Sequence, residues 1–273
     1  MNPITSFIKR YPQGVFWGIN WATWLFAWYM GSKYPSDLWF LFLYGPFLTG
    51  IFITSIADGK NGLKTFFSRM VRWRVGLRWY AVALFLPFVI RLAAAGLNVL
   101  MGASMPTNIQ IPATSDLLGE FLFPSFFLIA LGEEPGFRGF ALPRLLAGRS
   151  ALSASLILGV LHAIWHIPLF IFGSDHPLIA VIVVCGAVLN TWLFNNTNGS
   201  VFLAMLLHAS INLMVGIFNP LFTGADAQMH LVMLAVVFVA LAISLPILTG
   251  RELGRKPEAA IDTMAAEQPV MVR

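Results

Sequence analysis

Apolar runs of close to twenty residues, separated by short breaks that carry glycine, proline, asparagine or a charge, dominate this chain and leave it little choice of solvent. A hydrocarbon core about 30 Å thick is crossed by roughly 20 helical residues, and within it a helix satisfies each backbone N–H and C=O by itself. Runs near 13–31, 37–57, 79–101, 117–134, 151–173, 177–194, 199–217 and 229–249 therefore predict about eight transmembrane helices. The breaks fall at Gly31-Ser32, Asp58-Gly59, the polar stretch 106–115, Gly173-Ser174, Asn195 to Gly199 and Asn219-Pro220, where turn chemistry ends helices. Hydrophobic residues make up 58% of the 273 and charged ones 11%, a balance no water-facing globular surface accommodates. The expected fold is all-α: one polytopic transmembrane domain over residues 1–249, bundled or conical around an intramembrane cavity, with a polar, unstructured tail from 250 to 273.

The cations are distributed unevenly. With the N-terminus cytoplasmic, eight helices put Lys9 and Arg10, the cluster Lys60, Lys64, Arg69, Arg72, Arg74 and Arg78, then Arg144 and Arg149, and last Arg251, Arg255 and Lys256 on one side. Lys33 alone lies opposite. This is the positive-inside asymmetry, so both termini are expected in the cytoplasm of a cell with this multi-pass protein in its membrane, a bacterial one being the expectation. The net charge of +5 is then a topology signal, and membrane lipids rather than nucleic acid are the expected surroundings. Segment 58–78 interleaves Phe66, Phe67, Trp73 and Leu77 with its cations and reads either as an amphipathic helix on anionic lipid or as a solvated loop. The first apolar run is long enough to span and lacks a small-residue cleavage site, so it reads as a retained helix. Cys185 is the single cysteine, which excludes an internal disulfide and a cysteine-rich metal site; it reads as an apolar filler.

Charged and strongly polar side chains inside a bilayer cost several kcal/mol unless they face the bundle interior, and so mark function. The informative set is Arg91 in the third run, Glu133, Glu134 and Arg138 at the end of the fourth, His162 and His166 in the fifth, and His208 and Asn212 in the seventh. His162 and His166 are four residues apart, as are His208 and Asn212, so each pair shares a helix face. Glu134 and Arg138 have the same spacing and can pair, whereas Glu133 is turned by about 100° and is left for chemistry. Pro135 and Gly136 between them predict a kink or a helix end.

A glutamate, histidines and an asparagine converging from three helices supply what peptide hydrolysis requires: a base for water, donors for the oxyanion and an acid for the leaving amine. Glu133 or Glu134 with His166 can activate water, and His208 with Asn212 can hold the oxyanion. The same set can instead ligate a divalent metal such as zinc through Glu133, His166 and His208. His162 taken alone reads as a packing residue. His176 and His230 fall in or near outer loops and read as solvated, Arg91 as snorkelling or pairing, and Glu120 as a boundary residue.

At these residues the chain resembles the CPBP family of CaaX-protease and bacteriocin-processing proteins, also called the Abi or type II CaaX prenyl endopeptidase family. Glu133-Glu134-Pro135-Gly136-Phe137-Arg138 looks like its E-E-x-x-x-R motif, His208-Ala209-Ser210-Ile211-Asn212 like H-x-x-x-N/D, and His162-Ala163-Ile164-Trp165-His166 like the motif in which an aromatic precedes histidine by four. Three such motifs in order across 117–217 form a specific signal. The second departs at its first position, where His162 stands in place of the aromatic. The resemblance implies that Glu133 and His166 activate water, that Glu134 and Arg138 support the site, and that His208 and Asn212 form the oxyanion hole. Members are described both as metalloproteases and as metal-independent glutamate proteases. Asn212 is a poor zinc ligand and a natural oxyanion donor, which favours a site without a cofactor.

The expected function is endoproteolysis of hydrophobic, membrane-tethered or lipidated peptides, with access from the cytoplasmic leaflet or between helices. An ion-coupled transporter using the same carboxylates and histidines is the first rival, although no internal repeat is evident. A noncatalytic immunity or scaffold protein on the same fold is the second.

Overall fold

The computed structural model describes residues 2–254, apart from 108, 110, 111 and 174. Its elements are α1 (Pro3–Arg10), α2 (Pro12–Lys33), α3 (Asp37–Ala57, wound as a 3-10 helix as far as Tyr44), α4 (Gly59–Met70), α5 (Leu77–Leu100), α6 (Thr114–Leu146), α7 (Ala151–Trp165), α8 (Ile167–Ile171), α9 (Ile179–Asn196), α10 (Val201–Phe218) and α11 (Gly224–Thr249). The protein is all-helical, with no strand among the described residues. Each of the eight expected runs falls on a helix. Six of these are long and apolar enough to cross a membrane: α3, α5, α6, α9, α10 with the turn that follows it, and α11. The two others differ in kind, since α7 has only 15 residues and α2 dilutes its apolar surface with Gln13, Asn20 and three glycines.

Two expected spans are rebuilt by proline. The run 151–173 breaks at His166, which caps α7, because Pro168 has no N–H to donate and its ring would strike the carbonyl one turn back. The reverse happens at Pro135. No helix end occurs there; α6 continues to Leu146 through two π-wide stretches, Phe121–Ala130 and Pro135–Ala141, the first containing Pro124 and the second starting at Pro135. A π-wide turn skips a residue in the bonding ladder and so absorbs a missing donor.

Glycine lets backbones meet where lipid offers no hydrophobic drive for association. A Cβ on Gly132 would lie 2.6 Å from the Leu43 carbonyl oxygen, and one on Gly136 only 2.4 Å from that of Pro46, so α6 and α3 touch backbone to backbone on either side of Glu133 and Glu134. On the other flank of the site, a Cβ at Gly159 of α7 would meet Val184 Cα of α9 at 2.8 Å. The α2 helix closes over α6 and α7, with Gln13 Nε2 donating to Ala141 O at 2.7 Å and Trp24 stacked on Trp165 at 4.7 Å.

The connections rich in cations meet at one end of the bundle. Arg144 pairs with Asp58, Arg72 donates to Asn198 O, Ser200 Oγ donates to Arg72 O at 2.6 Å and Arg69 donates to Gly139 O at 3.2 Å. Burial first, then the neighbouring Arg72 and Arg144, pulls the Arg69 guanidinium down to about 10. Within the segment expected to be amphipathic, α4 is a helix whose Phe66 is buried against Phe47. The unforeseen α1 begins at Asn2, whose side chain accepts from Ile4 N.

Two further expectations are corrected. Residues 250–254 belong to the fold and not to a free tail: Leu253 is fully buried, Leu152 N donates to Arg251 O at 2.9 Å, the Asn195 and Asn196 amides donate to the carbonyls of Glu252 and Leu253, and the Glu252 carboxylate accepts from Ala151 N at the start of α7. The expected tail from 255 onward, with Arg255 and Lys256, lies outside the described residues, as do Ser174 and part of the break at 106–115. His230 is not solvated, because α11 begins at Gly224 and carries this ring, 3% exposed, against Phe222. Of the two readings of Arg91, pairing is the one observed: the residue is buried and donates to Asn219 Oδ1 at 2.9 Å. His176 and Glu120 are exposed, and Cys185 lies half-buried within α9.

Alanine at Gly136 cannot fit without moving the α3 backbone, so Gly136→Ala is expected to lose at least about 1–3 kcal/mol of stability, whereas Gly96→Ala, which meets nothing within 4 Å, is expected to be neutral or mildly stabilising. Unfolding of the purified protein in detergent, followed by helix signal, measures both.

Candidate active site

Between its two π-wide stretches α6 returns to α-helical winding for Leu131–Glu134, and this turn presents the two adjacent carboxylates. Adjacent helical residues point about 100° apart, and the two side chains enter separate networks.

Glu134 is fully buried. Its Oε1 accepts from Arg138 NH1 at 2.8 Å, one turn on, and pairs with His208 Nδ1 of α10 at 2.7 Å; Asn190 Nδ2 of α9 lies 3.5 Å from Oε2. One carboxylate thus joins three helices, and the expected Glu134–Arg138 pair forms because the π-wide turn does not interrupt the i, i+4 relation. His208 is held through Nδ1, leaving Nε2 as its remaining ring nitrogen. Asn212 follows one turn later on α10 and is half-buried, with no hydrogen bond to its side chain among the described residues.

Glu133, 5% exposed, turns instead to α7, where its Oε2 lies 3.3 Å from His162 Nε2. Its Oε1 has no hydrogen-bond partner among the described residues. The His162 ring sits 4.4 Å from Phe137 and 5.2 Å from His166, centroid to centroid. His166 occupies the break between α7 and α8, its side chain 19% exposed. Its Nδ1 is buried without a hydrogen bond among the described residues, with Asp175 Oδ2 4.0 Å away. Burial raises the Asp175 carboxyl above its ordinary value.

Two sets are therefore assembled, Glu133 with His162 and through it His166, and Glu134 with Arg138 and His208, while Asn212 makes no side-chain hydrogen bond to either among the described residues. The direct partner of Glu133 is His162 rather than His166, because His162 lies inside α7 at the level of the carboxylates while His166 sits at the helix end. Asn190 and Asp175 were not anticipated. Asn190 is a buried polar residue within an apolar span and meets the same criterion that singles out the charged residues; Asp175 sits in a loop whose approach to His166 only the fold creates.

Among the described residues no three His, Cys, Asp or Glu side chains converge closely enough to hold a metal ion. Glu133, His166 and His208, the set considered as ligands, do not meet that condition.

Replacing Arg138 by methionine leaves the buried Glu134 carboxylate short of its cation, and is expected to destabilise the protein by about 3–5 kcal/mol. Restoration of part of that loss by Arg138→Met with Glu134→Gln, in the same unfolding measurement, is the matching outcome; an unchanged single variant contradicts the pairing.

A protein-family model described as type II CAAX prenyl endopeptidase Rce1-like matches residues 117–214, the stretch holding both sets of side chains. A curated relative, CAAX prenyl protease 2 of Methanococcus maripaludis, is 24% identical over 188 residues, covering 63% of this chain and 68% of that protein. With six helices able to cross a bilayer the chain is a multi-pass integral membrane protein, and over its motif-bearing stretch, residues 117–214, it is similar to the Rce1-like type II CAAX prenyl endopeptidases.

Proposed function

We propose that the protein is an intramembrane endopeptidase that uses Glu133 and His166 to activate water and His208 with Asn212 to stabilise the oxyanion. The observation that carries this is the inequality of two neighbouring carboxylates. Glu134 is occupied by Arg138, His208 and Asn190, which suits a structural anchor. Glu133 has one partner, on one oxygen, which suits a base with its other oxygen available.

In this scheme Glu133 Oε1 accepts a proton from water as the water oxygen attacks the scissile carbonyl carbon. The resulting oxyanion accepts hydrogen bonds from the Nε2–H of a protonated His208, whose Nδ1–H stays on Glu134, and from the Asn212 amide. The proton then passes from Glu133, by way of His166, to the amine nitrogen as the C–N bond breaks. Water is consumed, and one carboxylate and one amine are released. Base catalysis of this kind contributes about 10²–10⁴-fold, and a single oxyanion donor about 10²–10³-fold. By holding Nδ1 of His208, Glu134 directs the opposite edge of that ring toward the oxyanion.

A site this deep in a helical bundle suits hydrophobic or membrane-tethered peptides, and the name of the curated relative adds prenylated ones to that class. The clustering of cations at one end of the bundle supports a cytoplasmic placement of that end and of both termini.

The decisive experiment is cleavage of a membrane-tethered peptide library, with prenylated and unprenylated members, by purified protein in lipid, comparing the wild type with Glu133→Ala, His166→Ala and Asn212→Ala, each with and without a chelator. Rates are expected to fall at least about 100-fold for each variant and to survive chelation in the wild type. Absence of cleavage by folded wild type overturns the proposal; loss on chelation, restored by zinc, overturns the metal-independent route.

A further inference from the structure

Resting on the peptidase reading, we infer that His162 is a positioning residue for Glu133, holding one carboxylate oxygen so that the other faces water. At this position the resemblance leads one to expect an aromatic residue. The imidazole keeps the packing of an aromatic, lying 4.4 Å from the Phe137 ring and 5.2 Å from that of His166. It adds a polar edge, and that edge is spent on Glu133, with Nε2 3.3 Å from Oε2.

The other ring nitrogen supports the assignment. His162 is 6% exposed, and its Nδ1 is buried without a hydrogen bond among the described residues. A ring with its proton on Nε2 donates to Glu133 and leaves a bare lone pair on Nδ1; the opposite tautomer would place an unpaired N–H in the apolar interior and face a lone pair toward the carboxylate. Only the first arrangement has no orphaned donor. The ring is therefore a one-donor device with a single target.

Geometry gives that target a reason. Glutamate has three side-chain torsions, and Glu133 makes this single hydrogen bond among the described residues. Fixing Oε2 removes the torsional freedom that would otherwise spread Oε1 over several positions, and misplacement by about 1 Å can cost about 100-fold in rate. Because His162 also touches His166, one side chain sets the spacing between the two groups of the water-activating pair. A phenylalanine would keep the wall and lose the tether.

Steady-state cleavage of the best library peptide by wild type, His162→Phe and His162→Gln tests this. His162→Phe is expected to lower kcat about 10- to 100-fold with KM within about twofold, and the unfolding transition is expected to remain in place because an aromatic fills the same space. His162→Gln, which restores an N–H donor, is expected to recover most of kcat. Wild-type kcat in His162→Phe overturns the inference while leaving the peptidase reading intact. Equal losses in both variants, or a loss confined to KM, overturn it in favour of packing alone. Should His162→Phe fail to fold, His162→Leu replaces it against His162→Gln, and equal rates overturn the inference. Absence of cleavage by folded wild type overturns both readings together.

Discussion

A buried carboxylate must find its counter-charge within the protein, and Glu134 finds it through Arg138 on its own helix and His208 on another, with Asn190 of a third close by. Leaving such a group unpaired at membrane depth costs several kcal/mol. The pairing therefore sets the register of α6, α9 and α10, and a slide of any one along its axis would strand a buried polar group. The apolar contacts around it fill space without fixing register so sharply, since one leucine packs against lipid or protein almost as well as another.

The other features of the bundle bring α6 to that position. Gly132 and Gly136 bring its backbone onto α3, and the π-wide turns carry it past two prolines without ending it. The break at His166 stops α7 short, so His162 reaches Glu133 from inside the helix while His166 lies at its end. At the basic end, hydrogen bonds from Arg72, Ser200, Asn195 and Asn196 lock the connections together, giving the site a rigid support on the side where the cations gather.

Helix positions were legible in the sequence because membrane crossing imposes a length and a polarity that composition records directly. The site residues were legible for the complementary reason: in a chain with so few charges, Glu133, Glu134, Arg138 and His208 stood out, and the four-residue spacing of Glu134 and Arg138 matches the bond observed. Proline was harder to interpret. Pro135 lies within a continuous helix and Pro168 at a break, because a missing donor can be absorbed by a wider turn or relieved by ending the helix, and neighbouring packing decides which. The five residues after Thr249 read as tail from their polarity, yet their carbonyls and the Glu252 carboxylate meet the ends of α7 and α9; no local pattern announces partners 57 and 101 residues away.

By itself the sequence determined that this protein is a helical bundle in a membrane, which residues within it are out of place in lipid, and which of them share a helix face, because these depend on length, polarity and a fixed helical repeat. Only the tertiary structure decided which partner each of those residues takes. It placed His162 on Glu133, Asn190 beside Glu134, Asp175 near His166 and His230 in the interior, because contacts between helices depend on their rotation, depth and closest approach, and these are settled jointly by glycines, prolines and buried charges far apart in the chain.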